Sequence, residues 1–308
     1  MIDVAGLTKR FGTVEALRGV DLAVGAGQVF GFVGPNGAGK TTTMRILAGL
    51  SLPSSGRATV DGVDVARHPE QVRERIGYMP DFFGVYDRLT AGEYLAFYAS
   101  CHRLPRSRID RVVSDLLELV RLPDKRQVAV DTLSRGMKQR LCLARALVHD
   151  PAVLLLDEPA SGLDPRARAE MRDLVAELQA MGKTVLLSSH ILPELAEMCS
   201  TFGIIDDGRM VATGPVASLL GAEQHRRARA QVLGDLAEAG RRAEGLPAVL
   251  GVRAHGDTLD LDYEGDDEAT AALLRALLWA GVAVTSFVPL ETDLEDVFLR
   301  MTGQGDGS

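Results

Sequence analysis

Residues 34–42 read GPNGAGKTT, and the rest of the chain is best interpreted outward from this stretch. It fits the phosphate-binding P-loop pattern G-x-x-x-x-G-K-[ST]. The fixed positions of that pattern are Gly34, Gly39, Lys40 and Thr41. The apolar run QVFGFV before the loop predicts a buried strand, and TTTMRILAGL within and after it predicts a helix. This strand–loop–helix setting argues against the alternative, a glycine-rich turn that binds nothing.

Each part of the loop has a chemical role toward a bound nucleotide. Glycines let the backbone curl so that its N–H groups point at phosphate oxygens, and the helix N-terminus adds a positive partial charge. Lys40 is expected to reach the β- and γ-phosphates, and the Thr41 hydroxyl to hold Mg²⁺. The predicted nucleotide-binding residues of the loop are Gly34, Pro35, Asn36, Gly37, Ala38, Gly39, Lys40, Thr41 and Thr42.

A pair of acidic residues follows a second buried strand, in the run VLLLDE at 153–158. Four consecutive apolar residues predict a strand covered on both faces. Asp157 would emerge at its carboxyl end, where it can orient Mg²⁺, and Glu158 is placed to polarise an attacking water. The alternative is a strand end with two solvated acids, and the P-loop upstream argues against it.

Three further motifs come in a fixed order: LSRGMKQRL at 133–141, SGLD at 161–164 and SSH at 188–190. Together with the P-loop and the Asp-Glu strand, this order resembles the nucleotide-binding subunit of ABC transporters over about residues 1–220. LSRGMKQR departs from the usual LSGGQ, because Arg135 replaces a glycine and Met137 replaces the glutamine. Such variants resemble those of the exporter branch of the family.

The resemblance assigns roles around a nucleotide bound to the same chain, which it implies is ATP. Phe11 matches the aromatic residue that stacks on adenine, with a core phenylalanine as the alternative. Asp157 matches the Mg²⁺-associated aspartate and Glu158 the catalytic carboxylate. His190 matches the switch histidine that contacts the γ-phosphate, although a satisfied strand-end histidine is the ordinary reading of such a residue.

Other positions match family residues that act on the opposite subunit. Ser134, which can also cap the helix that follows it, and Gly136 match the signature that contacts the γ-phosphate of the partner's nucleotide. Asp164 matches the aspartate of the loop that crosses the dimer interface. The resemblance therefore implies two half-sites that are completed when two chains pack head to tail. Intact motifs for both half-sites make a homodimer the simpler prediction.

One position departs from the family at the metal. The family has a glutamine near residue 81, in a loop that touches Mg²⁺ and senses the membrane partner, whereas this chain has Asp81. An aspartate can still be an oxygen ligand, but it is shorter and cannot donate a hydrogen bond when ionised. We expect Asp81 to keep the metal contact and to alter coupling to the partner. The alternative is that Asp81 only begins the loop after Pro80.

Composition fits a subunit that works beside a membrane protein without entering the membrane. The 308 residues predict two domains, and the net charge of −8 argues against broad nucleic-acid binding. No run of 18 apolar residues occurs, and the start lacks the features of a signal peptide. The three cysteines suit a reducing cytoplasm and show no zinc-binding spacing. A peripheral place at the cytoplasmic face of the cell membrane is therefore expected.

The first predicted domain spans residues 1–221 and is an α/β P-loop ATPase core with an antiparallel β-subdomain and a helical subdomain. Apolar residues at helical spacing predict this helical subdomain over about 82–140. It would face an integral membrane permease encoded as a separate chain. Most of its aromatic residues are expected to fill its own core, and Phe82 and Phe83 are the candidates for a partner-facing patch.

The second predicted domain spans 222–308, and its pattern β-α-β-β-α-β indicates a ferredoxin-like α+β accessory domain. The basic cluster HRRARA at 225–230 is expected to be a solvated strand edge or a linker. The segment TDLEDVFLRMTG at 292–303 predicts a helix. Its sequence resembles the C-terminal end of exporter ATPases of the daunorubicin-resistance type. The tail after it is expected to be disordered, and position alone indicates a regulatory or dimer-bracing role for the domain.

Three functions compete for this set of motifs. The first is the ATPase subunit of an exporter, which hydrolyses ATP to drive transport of a drug, antibiotic or lipid-like cargo. The second is an ABC-type ATPase that acts on ribosomes or DNA. Such relatives carry two nucleotide domains or long coiled-coil insertions, and this chain has neither. The third is a nucleotide sensor, which would need neither Glu158 nor His190. The exporter subunit is the favoured prediction.

Overall fold

The computed structural model describes residues 1–81, 88–217 and 225–290. The chain divides into two units, Met1–Gly214 and Pro215–Ser308. The elements of the first unit are β1 (Ile2–Phe11), β2 (Val14–Val24), β3 (Val29–Val33), α1 (Lys40–Leu47), β4 (Ser55–Val60), β5 (Val63–Asp64), α2 (Pro69–Arg75), β6 (Ile76–Met79), α3 (Ala91–Cys101), α4 (Arg106–Leu119), α5 (Arg135–Leu147), β7 (Val153–Leu156), α6 (Pro165–Ala180), β8 (Thr184–Ser189), α7 (Leu192–Ala196), β9 (Thr201–Asp206) and β10 (Arg209–Pro215).

A six-stranded sheet with the order β10-β9-β3-β8-β7-β6 forms the centre of this unit. Strands β3, β7 and β8 are buried at every residue, and neighbours among β9, β3, β8, β7 and β6 run parallel. Continuous apolar runs suit such strands because both faces are covered. Parallel strands end at one edge of the sheet, so the P-loop after β3, the acids after β7 and the histidine after β8 come together there.

A second sheet, with the order β2-β1-β4-β5, is antiparallel and matches the predicted β-subdomain. Its buried residues join those of α1 and the central sheet in one core. Helices α3, α4 and the start of α5 account for the predicted helical subdomain. Thr90 and Glu93 form a capping box at the start of α3, which explains why that helix begins at Ala91. Phe82 and Phe83 lie outside the described residues.

The second unit contains β11 (His225–Leu233), α8 (Leu236–Glu244), β12 (Val249–His255), β13 (Thr258–Glu264), α9 (Asp267–Trp279) and β14 (Ala283–Leu290). Its sheet has the order β12-β13-β11-β14, and each neighbouring pair is antiparallel. With a helix after the first strand and another after the third, this is the ferredoxin-like arrangement. The predicted element order of the accessory domain is confirmed.

The expectation for HRRARA at 225–230 is wrong, because this segment begins β11, which lies between two other strands of the sheet. Ala228 and Ala230 are fully buried in the core of the unit. Arg229 faces Asp260 in the register of β13 and binds it through two hydrogen bonds, of 2.7 and 2.8 Å. Small apolar residues alternate with arginines that are paired across the sheet. The high proportion of arginine in the segment made this alternation hard to recognise in the sequence.

Two predictions fall outside the described residues and stay predictions. The domain boundary at 221/222 lies within residues 218–224, and the closing helix and tail lie within 291–308. Within the described residues, no helix is both long enough and apolar enough to cross a membrane.

Candidate nucleotide site

The P-loop opens onto a cleft of about 270 Å³ at the carboxyl edge of the central sheet. The residues that line it are Pro35, Asn36, Gly37, Gly39, Lys40, Thr41, Thr42, Asp81, Glu158, Ser161 and His190. Most of the predicted loop residues are thus brought together with a catalytic candidate from each of two other strand ends. Ser161 was not predicted as a site residue.

Two glycines of the loop are required by their surroundings. A Cβ on Gly34 would lie 2.2 Å from the backbone oxygen of Ile205, so the neighbouring strand β9 leaves no room for a side chain. Gly39 is the N-cap of α1 and has a φ of 113°, which other residues rarely adopt. The structure therefore explains why glycine is needed at both ends of the loop: close packing at Gly34 and a left-handed backbone at Gly39.

Lys40 is almost completely buried, with 5% of its surface exposed. Its Nζ donates hydrogen bonds to the carbonyl oxygens of Gly34, at 2.5 Å, and Pro35, at 3.2 Å. The same atom lies 3.4 Å from Oε1 of Glu158. A buried ammonium group held by loop carbonyls is placed to meet phosphate oxygens that enter the cleft.

Asp157 follows β7 and is fully buried. Its Oδ1 accepts a hydrogen bond of 2.7 Å from the Ser188 hydroxyl, whereas Oδ2 has no hydrogen-bond partner among the described residues. Burial raises the pKa of Asp157, and the hydroxyls of Ser188 and Thr41 partly oppose that rise. A buried carboxylate oxygen without a partner, near the hydroxyl of Thr41, is a donor set that fits Mg²⁺.

Glu158 occupies a strained position beside Asp157. Its φ of 52° lies in the left-handed region, which a non-glycine residue adopts at a cost of about 1 kcal/mol or more. Its backbone N–H donates to the Ser188 hydroxyl at 2.9 Å, and its Oε2 lies 2.8 Å from Nδ1 of His190. This contact brings His190 to the carboxylate of Glu158, and its role toward the γ-phosphate stays a prediction. In this backbone conformation Glu158 lines the cleft.

Ser188 contacts both acids of the cleft, and the sequence analysis did not name it as a site residue. Its hydroxyl donates to Asp157 and accepts from the backbone of Glu158, so one atom fixes both acids. The residue is fully buried. The signal in the sequence that could have identified Ser188 is a hydroxyl residue near the end of an otherwise apolar strand, just before His190.

Two other predicted site residues, Asp81 and Phe11, differ in their relation to the P-loop cleft. Asp81 is exposed and lines the cleft, and its charge raises the pKa of Asp157. Phe11, at the end of β1, is 53% exposed, so the alternative of a core phenylalanine is wrong. The Nζ of Lys9 lies 4.9 Å from the centre of the Phe11 ring. Phe11 does not line the cleft, and its stacking role stays a prediction.

Ser134, Gly136 and Asp164 line a separate cleft of about 280 Å³ between the starts of α5 and α6. Ser134 caps α5 by accepting the N–H of Met137 at 3.3 Å, as the sequence predicted. Asp164 caps α6 by accepting the N–H of Ala167 at 2.9 Å. These three residues line a different cleft from the one that Lys40 lines, as two half-sites on one chain would require.

Comparisons with known proteins agree with this geometry. The family model described as ABC transporter matches residues 17–161. Nod factor export ATP-binding protein I of Ralstonia nicotianae is 37% identical over 99% of this chain and 94% of its own length. Daunorubicin resistance ATP-binding protein DrrA3 of Streptomyces coeruleorubidus is 38% identical over 98% and 96%. A solved ATP-binding subunit of an ABC transporter superimposes with a TM-score of 0.65 at 31% identity, covering 72% of this chain and 92% of that one.

Identity above 30% along nearly the whole chain extends the resemblance from the motifs to the accessory unit. The chain therefore belongs to the ATP-binding subunits of ABC transporters and is an ATPase of that family.

Proposed function

We propose that this chain binds MgATP, pairs head to tail with a second ATPase subunit and hydrolyses ATP to ADP and phosphate to drive export through a separate membrane permease. A homodimer is the simplest pairing. One relative is named for Nod factor export and another for daunorubicin resistance. They support export as the direction, and a drug, antibiotic or lipid-like molecule as the cargo. The chain would act as a peripheral subunit at the cytoplasmic face of the cell membrane.

The proposal rests on one observation. Inside the P-loop cleft, the carboxylate of Glu158 contacts Lys40 through one oxygen and His190 through the other. Before nucleotide binds, Lys40 partly neutralises Glu158. Phosphate oxygens that reach Lys40 would draw the ammonium group toward themselves and leave the carboxylate free to accept a proton from a water molecule. His190, hydrogen-bonded to the same carboxylate, would hold it in place and contact the γ-phosphate.

Asp157 and Thr41 would hold Mg²⁺, with Asp81 as a further oxygen donor, and the bound ion would supply positive charge to the β- and γ-phosphates. The protein's own contribution is to favour the ionised form of the Asp157 carboxylate against the effect of its burial. Ser188 does so with a hydrogen bond to one oxygen, which leaves the other oxygen free for the metal.

The second cleft supplies the reason for pairing. Ser134, Gly136 and Asp164 would meet the γ-phosphate held on the partner's P-loop, so ATP would join the two chains. Hydrolysis would remove that bridge and allow the dimer to open. The γ-phosphate would thus favour a closed state, and its loss would shift the population back.

Replacing Glu158 by glutamine tests this mechanism. The variant is expected to bind ATP, to lose turnover and to elute as a dimer from a sizing column when ATP is present. Glu177→Gln is a matched control, because this carboxylate pairs with Arg121 on the surface and should not affect turnover. A Glu158→Gln monomer that still hydrolyses ATP would contradict the half-site mechanism.

The membrane partner can be identified with the same variant. Tagged Glu158→Gln protein with ATP would be used to retain its partners from detergent-solubilised membranes of its host. We expect mass spectrometry to identify a multi-spanning protein in stoichiometric amount. Retention of ribosomal or DNA-bound proteins without a membrane chain would instead support a function away from transport.

A further inference from the structure

Arg135 lines the second cleft, at the position where the family signature has a glycine, and its side chain lies against Gly162. It is exposed and is the first residue of α5. A Cβ placed on Gly162 would lie 2.6 Å from Cζ of Arg135 and 2.7 Å from each of its Nη atoms. These near-equal distances mean that the guanidinium lies over the Cα of Gly162. With a φ of 63° and no side chain, Gly162 leaves space for the arginine.

The other charges in this cleft are already engaged. Glu170 lies within ion-pair distance of Arg140, at 3.3 Å, and Arg166, at 3.4 Å. Asp164 uses Oδ1 to cap α6. Among residues 1–81, 88–217 and 225–290, Arg135 makes no hydrogen bond or ion pair. The cleft therefore holds a cation whose donors are free, beside the Ser134 hydroxyl and the first N–H groups of α5.

We propose that Arg135 binds the γ-phosphate of the ATP that is held on the P-loop of the partner subunit. This inference rests on the proposed function, because it needs the head-to-tail dimer. A planar guanidinium matches phosphate oxygens and makes charge-assisted hydrogen bonds, which are stronger than those of neutral donors. The contact with Gly162 places the group at the cleft that Ser134 and Asp164 also line.

A consequence distinguishes this role from simple packing. A glycine at position 135 would leave only neutral donors facing the partner's phosphate. Arg135 adds a full positive charge at each of the two interfaces in a chain whose net charge is −8. ATP-driven dimerisation should therefore weaken as salt rises, more steeply than in a variant without this charge.

The experiment measures ATP-driven dimerisation of the full chain in the Glu158→Gln background by sedimentation, at low and high sodium chloride. Arg135→Gln removes the charge and keeps a long polar side chain. We expect its dimer dissociation constant to rise about tenfold per site, or about a hundredfold for two sites. We also expect a weaker salt dependence. Arg135→Lys keeps the charge and should retain the salt dependence, with an intermediate dissociation constant.

Two controls separate the outcomes. Arg111→Gln removes an exposed positive charge from α4 and should leave dimerisation unchanged. Binding of ATP to the monomer should be equal in all variants, because the P-loop of the same chain is intact. If Glu158→Gln fails to dimerise with ATP, the proposed function itself is wrong. If it dimerises, and Arg135→Gln does so with the same dissociation constant and salt dependence, Arg135 has only a packing role and the inference is overturned.

Discussion

Replacement of Ser188 by alanine tests how the two acids of the cleft are held. The Ser188 hydroxyl donates to Oδ1 of Asp157 at 2.7 Å and accepts the N–H of Glu158 at 2.9 Å. All of Ser188 and Asp157 is buried, so water cannot replace the hydroxyl without a change in packing. The substitution removes both hydrogen bonds and leaves a buried carboxylate oxygen and a backbone N–H without partners.

The expected loss of stability follows from these two bonds. A hydrogen bond to a charged group contributes about 1.5–3 kcal/mol, and one between neutral groups about 0.5–1.5 kcal/mol. Ser188→Ala should therefore lower the free energy of unfolding by about 2–4 kcal/mol. For a unit of about 200 residues, this corresponds to a fall in Tm of roughly 4–16 °C.

ATP turnover should fall further than ATP binding. Asp157 and Glu158 would both lose their positions, and small displacements of catalytic groups can reduce rates by about a hundredfold. Binding through the P-loop backbone does not involve Ser188 and should change little. Steady-state ATPase assays and titrations with a fluorescent ATP analogue would measure the two quantities separately.

Ser189→Ala is the matched control for this substitution. Ser189 is the next residue of β8 and is also buried, but among the described residues its hydroxyl bonds only with the backbone of Ile191, donating to its oxygen and accepting from its N–H. The Ser189→Ala variant should lose stability without a comparable fall in ATP turnover. Wild-type stability and turnover in Ser188→Ala would refute the view that this hydroxyl orders both acids.

The pH dependence of the same variant has a defined sign. Burial raises the pKa of Asp157 and the Ser188 hydrogen bond lowers it, so Ser188→Ala should raise that pKa further. A raised carboxylate pKa makes ionisation costly to the folded state above that pKa, and the cost disappears in acid. The stability difference from wild type should therefore be largest near neutral pH and shrink as pH falls. The acid limb of the ATPase profile should move to higher pH.

Three other changes test separate parts of the site. Lys40→Ala should abolish nucleotide binding in a direct titration, because the buried ammonium group is lost, and a normal affinity would mean that the phosphate site lies elsewhere. Asp81→Gln should keep ATP turnover but change its stimulation by the membrane partner; if both are unchanged, Asp81 has no coupling role. Burial lowers the pKa of His149 to about 4, so the free energy of unfolding should decrease as pH falls from about 6.5 to 4. His149→Gln should flatten this decrease in urea titrations at several pH values, and an unchanged slope would contradict it.

The sequence alone predicted the fold of both units because their signals are local. The buried strands read as continuous apolar runs, and the helices have apolar residues at helical spacing and capping residues such as Ser134. The same order of motifs predicted the family, and the residues at three strand ends predicted most of the nucleotide cleft. Parallel strands share one carboxyl edge, so motifs far apart in the chain could be placed together.

Tertiary structure decided the features that depend on neighbours from elsewhere in the chain. Ser188 is one hydroxyl among many until β8 packs beside β7 and brings it to both acids. The basic run at 225–230 looks solvated until β13 supplies Asp260, and the contact between Arg135 and Gly162 exists only once α5 lies beside the start of α6. Motifs and periodicity report what each segment prefers on its own. Hydrogen bonds, ion pairs and close approaches between segments exist only once the chain has folded, and they define which polar groups are held and which remain free for a ligand.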